Sequence, residues 1–332
     1  MRYTFAVLGD GAFGTAIAIL LAQDPRHRVR LWSAREENGR ILRERRENVR
    51  LLPGVPIPES VALTMDVAEA VADADLWVAA IPTVYLRTTL ERVAAAVRVN
   101  APVLSLAKGV EIQTFLRPSE IITQVLGVEQ TAVLSGPSHA EEVSRGLPTS
   151  VVVASQDVEL ARWVQQRFTT ERFRVYTNLD PVGVELGGAL KNIIGVAAGI
   201  SDGLGLGDNA KAALMTRGLA EMTRFGVTLG AEPQTFQGLA GMGDLITTCV
   251  SEHGRNYKFG KRLAKGEKAA DILAGMTMVA EGVYTTRSVH DRARQMGLDL
   301  PITNAVYRVI YEGKDPRAAV ADLMLRPPKG EK

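Results

Sequence analysis

The sequence predicts an α/β doubly wound sheet domain followed by an all-α C-terminal domain. Three observations carry that prediction. Over residues 1–177 short apolar runs alternate with helix-length amphipathic segments, the rhythm of right-handed βαβ units in a parallel sheet covered on both faces. The first apolar run leads directly into a glycine-rich turn, Gly9-Asp-Gly-Ala-Phe-Gly14. Beyond residue 178 the strand-like runs stop and only helical patterns remain, so the halves are 1–177 and 178–332.

Taken in order, the runs at 4–8, 29–32, 76–80, 103–106 and 132–134 are mostly apolar and read as buried strands. Between them, 13–22, 67–72 and 85–97 carry alanine and leucine at helical spacing. The stretch 51–58 has three prolines in eight residues and is a loop. Strands at 150–154 and 173–176, flanking a helix at 158–168, extend the same sheet. Helices are expected at 180–200, 208–229, 233–240, 255–265, 285–296 and 302–311, with a frayed tail from Pro327.

Composition narrows the function classes. A chain of 332 residues suits about two domains at roughly 150 residues each. With 39 basic and 37 acidic side chains the net charge is only +2, which argues against a nucleic-acid partner held by bulk charge. The single cysteine, Cys249, excludes an intrachain disulfide and fits a reducing compartment. The longest nearly apolar run, 12–22, is too short to span a bilayer, and the chain reaches a strand by Thr4 with no room for a signal peptide. These features predict a cytoplasmic protein without a membrane span.

G-x-G-x-x-G recurs by chance, but here it ends a strand and opens a helix, the context a dinucleotide site requires. Gly9 permits the tight turn, Gly11 lets a pyrophosphate approach the backbone, and Gly14 lets helix and strand pack closely. The phosphates then meet free N–H groups at the positive end of a helix dipole. The second strand ends Trp32-Ser-Ala-Arg35, without the carboxylate that usually holds a ribose 2′-hydroxyl, while Glu36 and Glu37 belong to the next helix. Arg35 is available for a 2′-phosphate, so the cofactor is NADP or NAD, with NADP(H) accepted at least as well as NAD(H).

Hydride transfer to a carbonyl also needs an acid for the developing alkoxide and positive charge for a substrate anion. Lys108-Gly109 and Gly136-Pro-Ser-His-Ala140 follow strands, at the carboxyl edge where open sheets bind ligands. In the helix across 187–199, Lys191 shares a face with Gly187, Gly188, Ile194, Gly195 and Ala198. Small residues there admit close helix packing. A desolvated Lys191 would lose proton affinity and suit acid–base work, whereas the same lysine snorkelling to water would be inert. Asp244 lies in a glycine-rich turn, where it either holds Lys191 or a substrate hydroxyl, or caps a helix. Arg255 opens a helix after Gly254 and is a phosphate clamp, while Lys258 to Lys265 form a solvated face. His139 and His253 adjoin these segments as rival acids, and His27 and His290 read as surface positions. No His/Cys/Asp cluster has metal-ligand spacing, and no G-x-S-x-G turn supports a serine nucleophile.

The chain resembles the bacterial NAD(P)-dependent glycerol-3-phosphate dehydrogenases from about residue 6 to 313. The likeness is carried by residues 9–16, Lys108-Gly-Val-Glu111, Ser135-Gly-Pro137, Gly146-Leu-Pro-Thr149 and Phe173-Arg-Val-Tyr176 in the first half. In the second half it is carried by 183–192, Ser201-Asp-Gly203, Thr216-Arg-Gly-Leu-Ala-Glu221, 241–244, Arg255-Asn256 and Val279-Ala-Glu-Gly282. The resemblance implies a Rossmann-type domain, a helical domain and a site between them. It also implies reversible reduction of dihydroxyacetone phosphate to sn-glycerol 3-phosphate for glycerophospholipid synthesis. By matching position it implies Lys191 as proton donor/acceptor, with Asp244 beside it. Substrate contacts would be Lys108, Gly136, Ser138, Asp244, Gly254, Arg255 and Asn256. Cofactor contacts would be Ala12, Phe13, Arg35, Lys108, Ala140, Arg255, Val279 and Glu281. The chain departs from the family at Ala12 and Gly254, where relatives often carry serine, and at His139, where they carry an apolar or aromatic residue. Two other readings stay open: a two-domain β-hydroxy acid dehydrogenase, and an NADP(H)-sensing protein without turnover. Faces rich in Ala, Met and Gly in the second half leave room for a homodimer.

Overall fold

Mostly apolar strand runs pair into one largely buried sheet. In the computed structural model, which describes residues 1–252, 254–276, 278–328 and 330–331, that sheet has eight strands. They are β1 (Tyr3–Leu8), β2 (His27–Trp32), β3 (Val61–Thr64), β4 (Leu76–Ala79), β5 (Val103–Ser105), β6 (Thr131–Ser135), β7 (Thr149–Ala154) and β8 (Phe173–Asn178). Their spatial order is β3-β2-β1-β4-β5-β6-β7-β8, with Leu8 in register with both Trp32 and Ala79. The chain therefore winds outward from β1 and restarts at β4. The switch point lies beside β1, the crevice where this architecture binds ligands.

Helices cover both faces: α1 (Ala12–Leu21), α2 (Glu36–Arg45), α3 (Val67–Val71), α4 (Thr83–Ala96), α5 (Pro118–Leu126), α6 (Ala140–Ser144) and α7 (Val158–Phe168). One core layer gathers Phe5, Val7, Ile17, Leu31 and Phe168, and the other gathers Leu8, Trp77, Leu86, Leu90 and Ile121. Gly9 has φ +115°, and a Cβ on it would stand 2.6 Å from the Ala80 carbonyl oxygen, so the turn out of β1 admits glycine alone.

Three expectations are corrected. The sheet is not parallel throughout, because β6 and β7 run antiparallel. Their connection holds only the five-residue α6 and reverses through Gly136 (φ +127°) and Gly146 (φ +69°). His27 is buried, with Nδ1 2.9 Å from the Leu21 carbonyl oxygen and its ring edge-on to Phe5. The run at 12–22 is also not the longest apolar element, a place taken by the first helix of the second half.

That half comprises α8 (Pro181–Gly203), α9 (Gly207–Thr228), α10 (Pro233–Gln237), a π-turn (Leu239–Gly243), α11 (Asp244–Val250), α12 (Arg255–Ala264), α13 (Ala269–Ala274), α14 (Glu281–Gln295), α15 (Pro301–Tyr311) and α16 (Pro316–Met324). By length and composition α8 is long and apolar enough to cross a membrane, with mean hydropathy 1.2, but 94% of that window is buried inside the protein. It runs through the middle of the half and packs on α9, α11, α12 and α14. The closest approach is to α12: a Cβ on Gly199 would lie 2.1 Å from the Tyr257 carbonyl oxygen. Gly199→Ala is therefore expected to destabilise the protein by about 1–3 kcal/mol, read as a lower urea midpoint. An unchanged midpoint would mean that the two backbones are free to part.

Candidate active site

The carboxyl edge of the sheet and the face of α8 converge on one buried carboxylate. Lys108 follows β5, Gly136 and Ser138 follow β6, α8 brings Lys191, and the π-turn delivers Asp244 at the head of α11. The Lys191 ammonium donates to Asp244 Oδ1 at 2.6 Å and to Thr248 Oγ1 at 2.7 Å. The Lys108 ammonium donates to Asp244 Oδ2 at 2.8 Å, to the Gly136 carbonyl at 2.8 Å and to Ser138 Oγ at 3.3 Å. Asp244 therefore holds two cations, one from each half of the chain, and does not close on the amides of its own helix.

Lys191 is 8% exposed, so the snorkelling alternative does not describe it. Burial lowers its proton affinity, Lys108 adds to the effect, and Asp244 opposes it, leaving the pKa at about 8. Burial works against the Asp244 charge as well, but the two ammoniums outweigh it and hold the carboxyl below the usual carboxylate range. His139, at the cap of α6, is pushed down by burial and then by Lys191 and Lys108, which disfavours it as the acid. His253 lies outside the described residues.

A row of amides ties the walls together. Asn192 Nδ2 donates to the Lys108 carbonyl at 2.8 Å, Asn256 Nδ2 donates to Asn192 Oδ1 at 2.9 Å, and the Gly282 amide donates to Asn256 Oδ1 at 2.9 Å. Nearby, the Arg255 guanidinium reaches the Val279 carbonyl at 3.1 Å and its side chain is exposed at the N-terminus of α12, after Gly254. Glu281 accepts the Thr83 amide at 3.0 Å, at the start of α4, and burial raises its pKa. Deeper in, Glu185 on α8 is pinned to the first half: Arg117 Nη1 lies 2.6 Å away, and the Ser119 amide and hydroxyl lie 2.8 and 2.7 Å away. Lys191 therefore sits on a helix fastened to the sheet domain.

The glycine-rich turn fits a dinucleotide. Gly11 caps α1 without a side chain, a Cβ on it would meet nothing within 4 Å, and the first turn of α1 carries no acidic residue. The first-turn amides of such a helix have no intrahelical acceptor and suit an anion. A Cβ on Gly14 would stand 2.1 Å from the Gly9 carbonyl oxygen, so the helix is drawn tight against β1. Arg35 is exposed at the start of α2, and Ala140 is buried in the core layer beside α1.

Sequence reasoning missed Thr248, Asn192 and the Arg117–Glu185 pair. Thr248 had a signal, since it is four residues from Asp244 and on the same face of α11. Among the described residues no group of three or more His, Cys, Asp or Glu side chains could hold a metal ion.

The NAD-dependent glycerol-3-phosphate dehydrogenase N-terminus model matches residues 4–161, and the corresponding C-terminus model matches 180–321. Glycerol-3-phosphate dehydrogenase [NAD(P)+] of Chlorobium phaeobacteroides is 49% identical, over 98% of this chain and 98% of that one. The Geobacillus thermodenitrificans enzyme is 50% identical, over 98% and 95%. Among solved structures, glycerol-3-phosphate dehydrogenase of Coxiella burnetii superposes with a TM-score of 0.94 at 36% identity, over 98% of this chain and 99% of that one. D-mandelate dehydrogenase, at 13% identity and a TM-score of 0.61, shares the fold alone. The buried Lys191–Asp244–Lys108 cluster beside an open glycine turn thus occurs on a chain matched along both halves, and the chain belongs to the NAD-dependent glycerol-3-phosphate dehydrogenase family.

Proposed function

We propose that the chain reversibly reduces dihydroxyacetone phosphate to sn-glycerol 3-phosphate with NADH or NADPH, in a cleft between a cofactor half, 1–177, and a substrate half, 178–332. The observation that carries this reading is the Lys191 ammonium, buried, paired with Asp244 and poised at about 8. Bound at the glycine turn, the reduced nicotinamide supplies the hydride for the ketone carbon. Lys191 Nζ then gives its proton to the oxygen that becomes the hydroxyl, and in the reverse direction it takes that proton back. Asp244 aims the ammonium, and Lys108 adds positive charge where the alkoxide develops. Arg255, with the first-turn amides of α12, clamps the phosphate, beside the Asn256 side chain that Asn192 and Gly282 hold in place.

Loss of NADH or NADPH absorbance on adding dihydroxyacetone phosphate tests the reaction, and no turnover with either cofactor would overturn it. Arg255→Ala is expected to raise KM for the phosphorylated substrate about 10- to 100-fold, the worth of a charged hydrogen bond, with kcat much less affected. An unchanged KM removes Arg255 from the clamp. The near-neutral charge and single buried cysteine support a cytoplasmic enzyme of small molecules, and its assembly as a homodimer is open to sedimentation analysis.

A further inference from the structure

The end of β2 decides which ribose a dinucleotide site accepts, because the 2′ position of the adenosine arrives there. Strand β2 offers no carboxylate at that point. Its following residue, Ser33, is only 2% exposed, and Arg35 is the charge the strand end presents. The glycine-rich turn supplies what the strand lacks. Asp10, between Gly9 and Gly11, reaches across so that its Oδ2 accepts the Ser33 hydroxyl at 2.6 Å and the Asn38 amide at 2.5 Å. The turn is held in turn by Asn48, whose Nδ2 donates to the Asp10 carbonyl at 2.8 Å and to Thr15 Oγ1 at 2.9 Å. A fixed negative charge therefore stands at the β2 end, on the side of the turn, while Arg35 stands exposed a few residues on.

We propose that Asp10 is the residue of this chain that discriminates against a 2′-phosphate, with Arg35 acting in the opposite sense. The carboxylate suits a ribose hydroxyl, which donates a hydrogen bond to it, and repels a phosphate that brings about two negative charges to the same place. The expectation for NADP(H) drawn from Arg35 is thereby opposed by a group from a different element, and the preference between the cofactors follows from the balance of the two. The inference rests on the reading that the glycine turn receives a dinucleotide.

Asp10→Asn is the informative change, because an amide oxygen keeps the bond to Ser33 while the charge is lost. Equilibrium titration of the intact protein with NADH and with NADPH, followed by quenching of its three tryptophans, reads the two dissociation constants without catalysis. The expected result is NADPH bound about tenfold tighter relative to NADH than in the parent protein, with Arg35→Ala moving the ratio the other way. A ratio unchanged in Asp10→Asn, or shifted toward NADH, overturns the assignment while leaving the turn as the cofactor site. Failure of the parent protein to bind either dinucleotide overturns that reading and this inference together.

Discussion

Replacing Lys191 with methionine is expected to cut kcat for ketone reduction by about 10³-fold while the protein stays folded. The magnitude is that of a positioned general acid, about 10²–10⁴. Methionine keeps the volume of the buried stem, and Asp244 keeps Lys108 as a partner, so the loss falls on chemistry and not on packing. The pH dependence carries the sharper signature. With a pKa lowered from 10.5 to about 8, the ammonium is charged at neutral pH and loses its proton as pH rises past 8. Reduction, which needs the charged form, falls above that pH, while oxidation of the alcohol, which needs the free amine, rises through it. Persistence of that alkaline limb in Lys191→Met would assign the proton to another group, and His139 is the neighbour to replace next.

Asp244→Asn is expected to cost about 3–5 kcal/mol, the loss met when one partner is removed from a buried ion pair. The carboxylate faces ammoniums at 2.6 and 2.8 Å, and an amide leaves those two cations opposite each other without compensation. Denaturant midpoints of the two proteins check the size. The folded carboxyl sits below its ordinary 3.8, so its contribution is complete above that value and is lost as pH falls toward the folded pKa. The stability gap between parent and variant should therefore be flat near neutrality and narrow in acid. Loss of Asp244 also removes what sustains the Lys191 charge, so the alkaline limb should move below pH 8. A variant with parental stability and an unmoved limb would mean that Asp244 is a bystander.

How much of this was legible depends on the range over which each feature is decided. The glycine turn and its strand and helix are local, and so is the small-residue face around Lys191. Both could be read from spacing. The role of Asp244 could not: its partners are 53 and 136 residues away, and its alternatives as a helix cap or a lysine partner look alike along the chain. The π-turn that aims it is set by packing of the 239–243 backbone under α8, not by composition. Strand β3 escaped because Val61–Thr64 is four residues long, sits at the sheet edge and buries only its two ends. The direction of β7 escaped because apolar runs carry no polarity, and only the geometry of the connection decides it. Glu185 is conspicuous as a charge within an apolar helix, but Arg117 lies 68 residues earlier, so its purpose is invisible before the fold is known.

The central position of α8 has a consequence for the order in which the protein is made. The helices it packs on within the second half are synthesised after it, α9 beginning at Gly207 and α14 ending at Gln295, whereas every strand of the sheet is complete by Asn178. A ribosome therefore releases a finished nucleotide fold long before the second core has anything to close around. Until α11 arrives, Lys191 lacks the Asp244 carboxylate and the Thr248 hydroxyl that it donates to in the finished fold. The Lys191–Asp244 pair is therefore complete only after the chain has passed residue 244, well beyond the last strand.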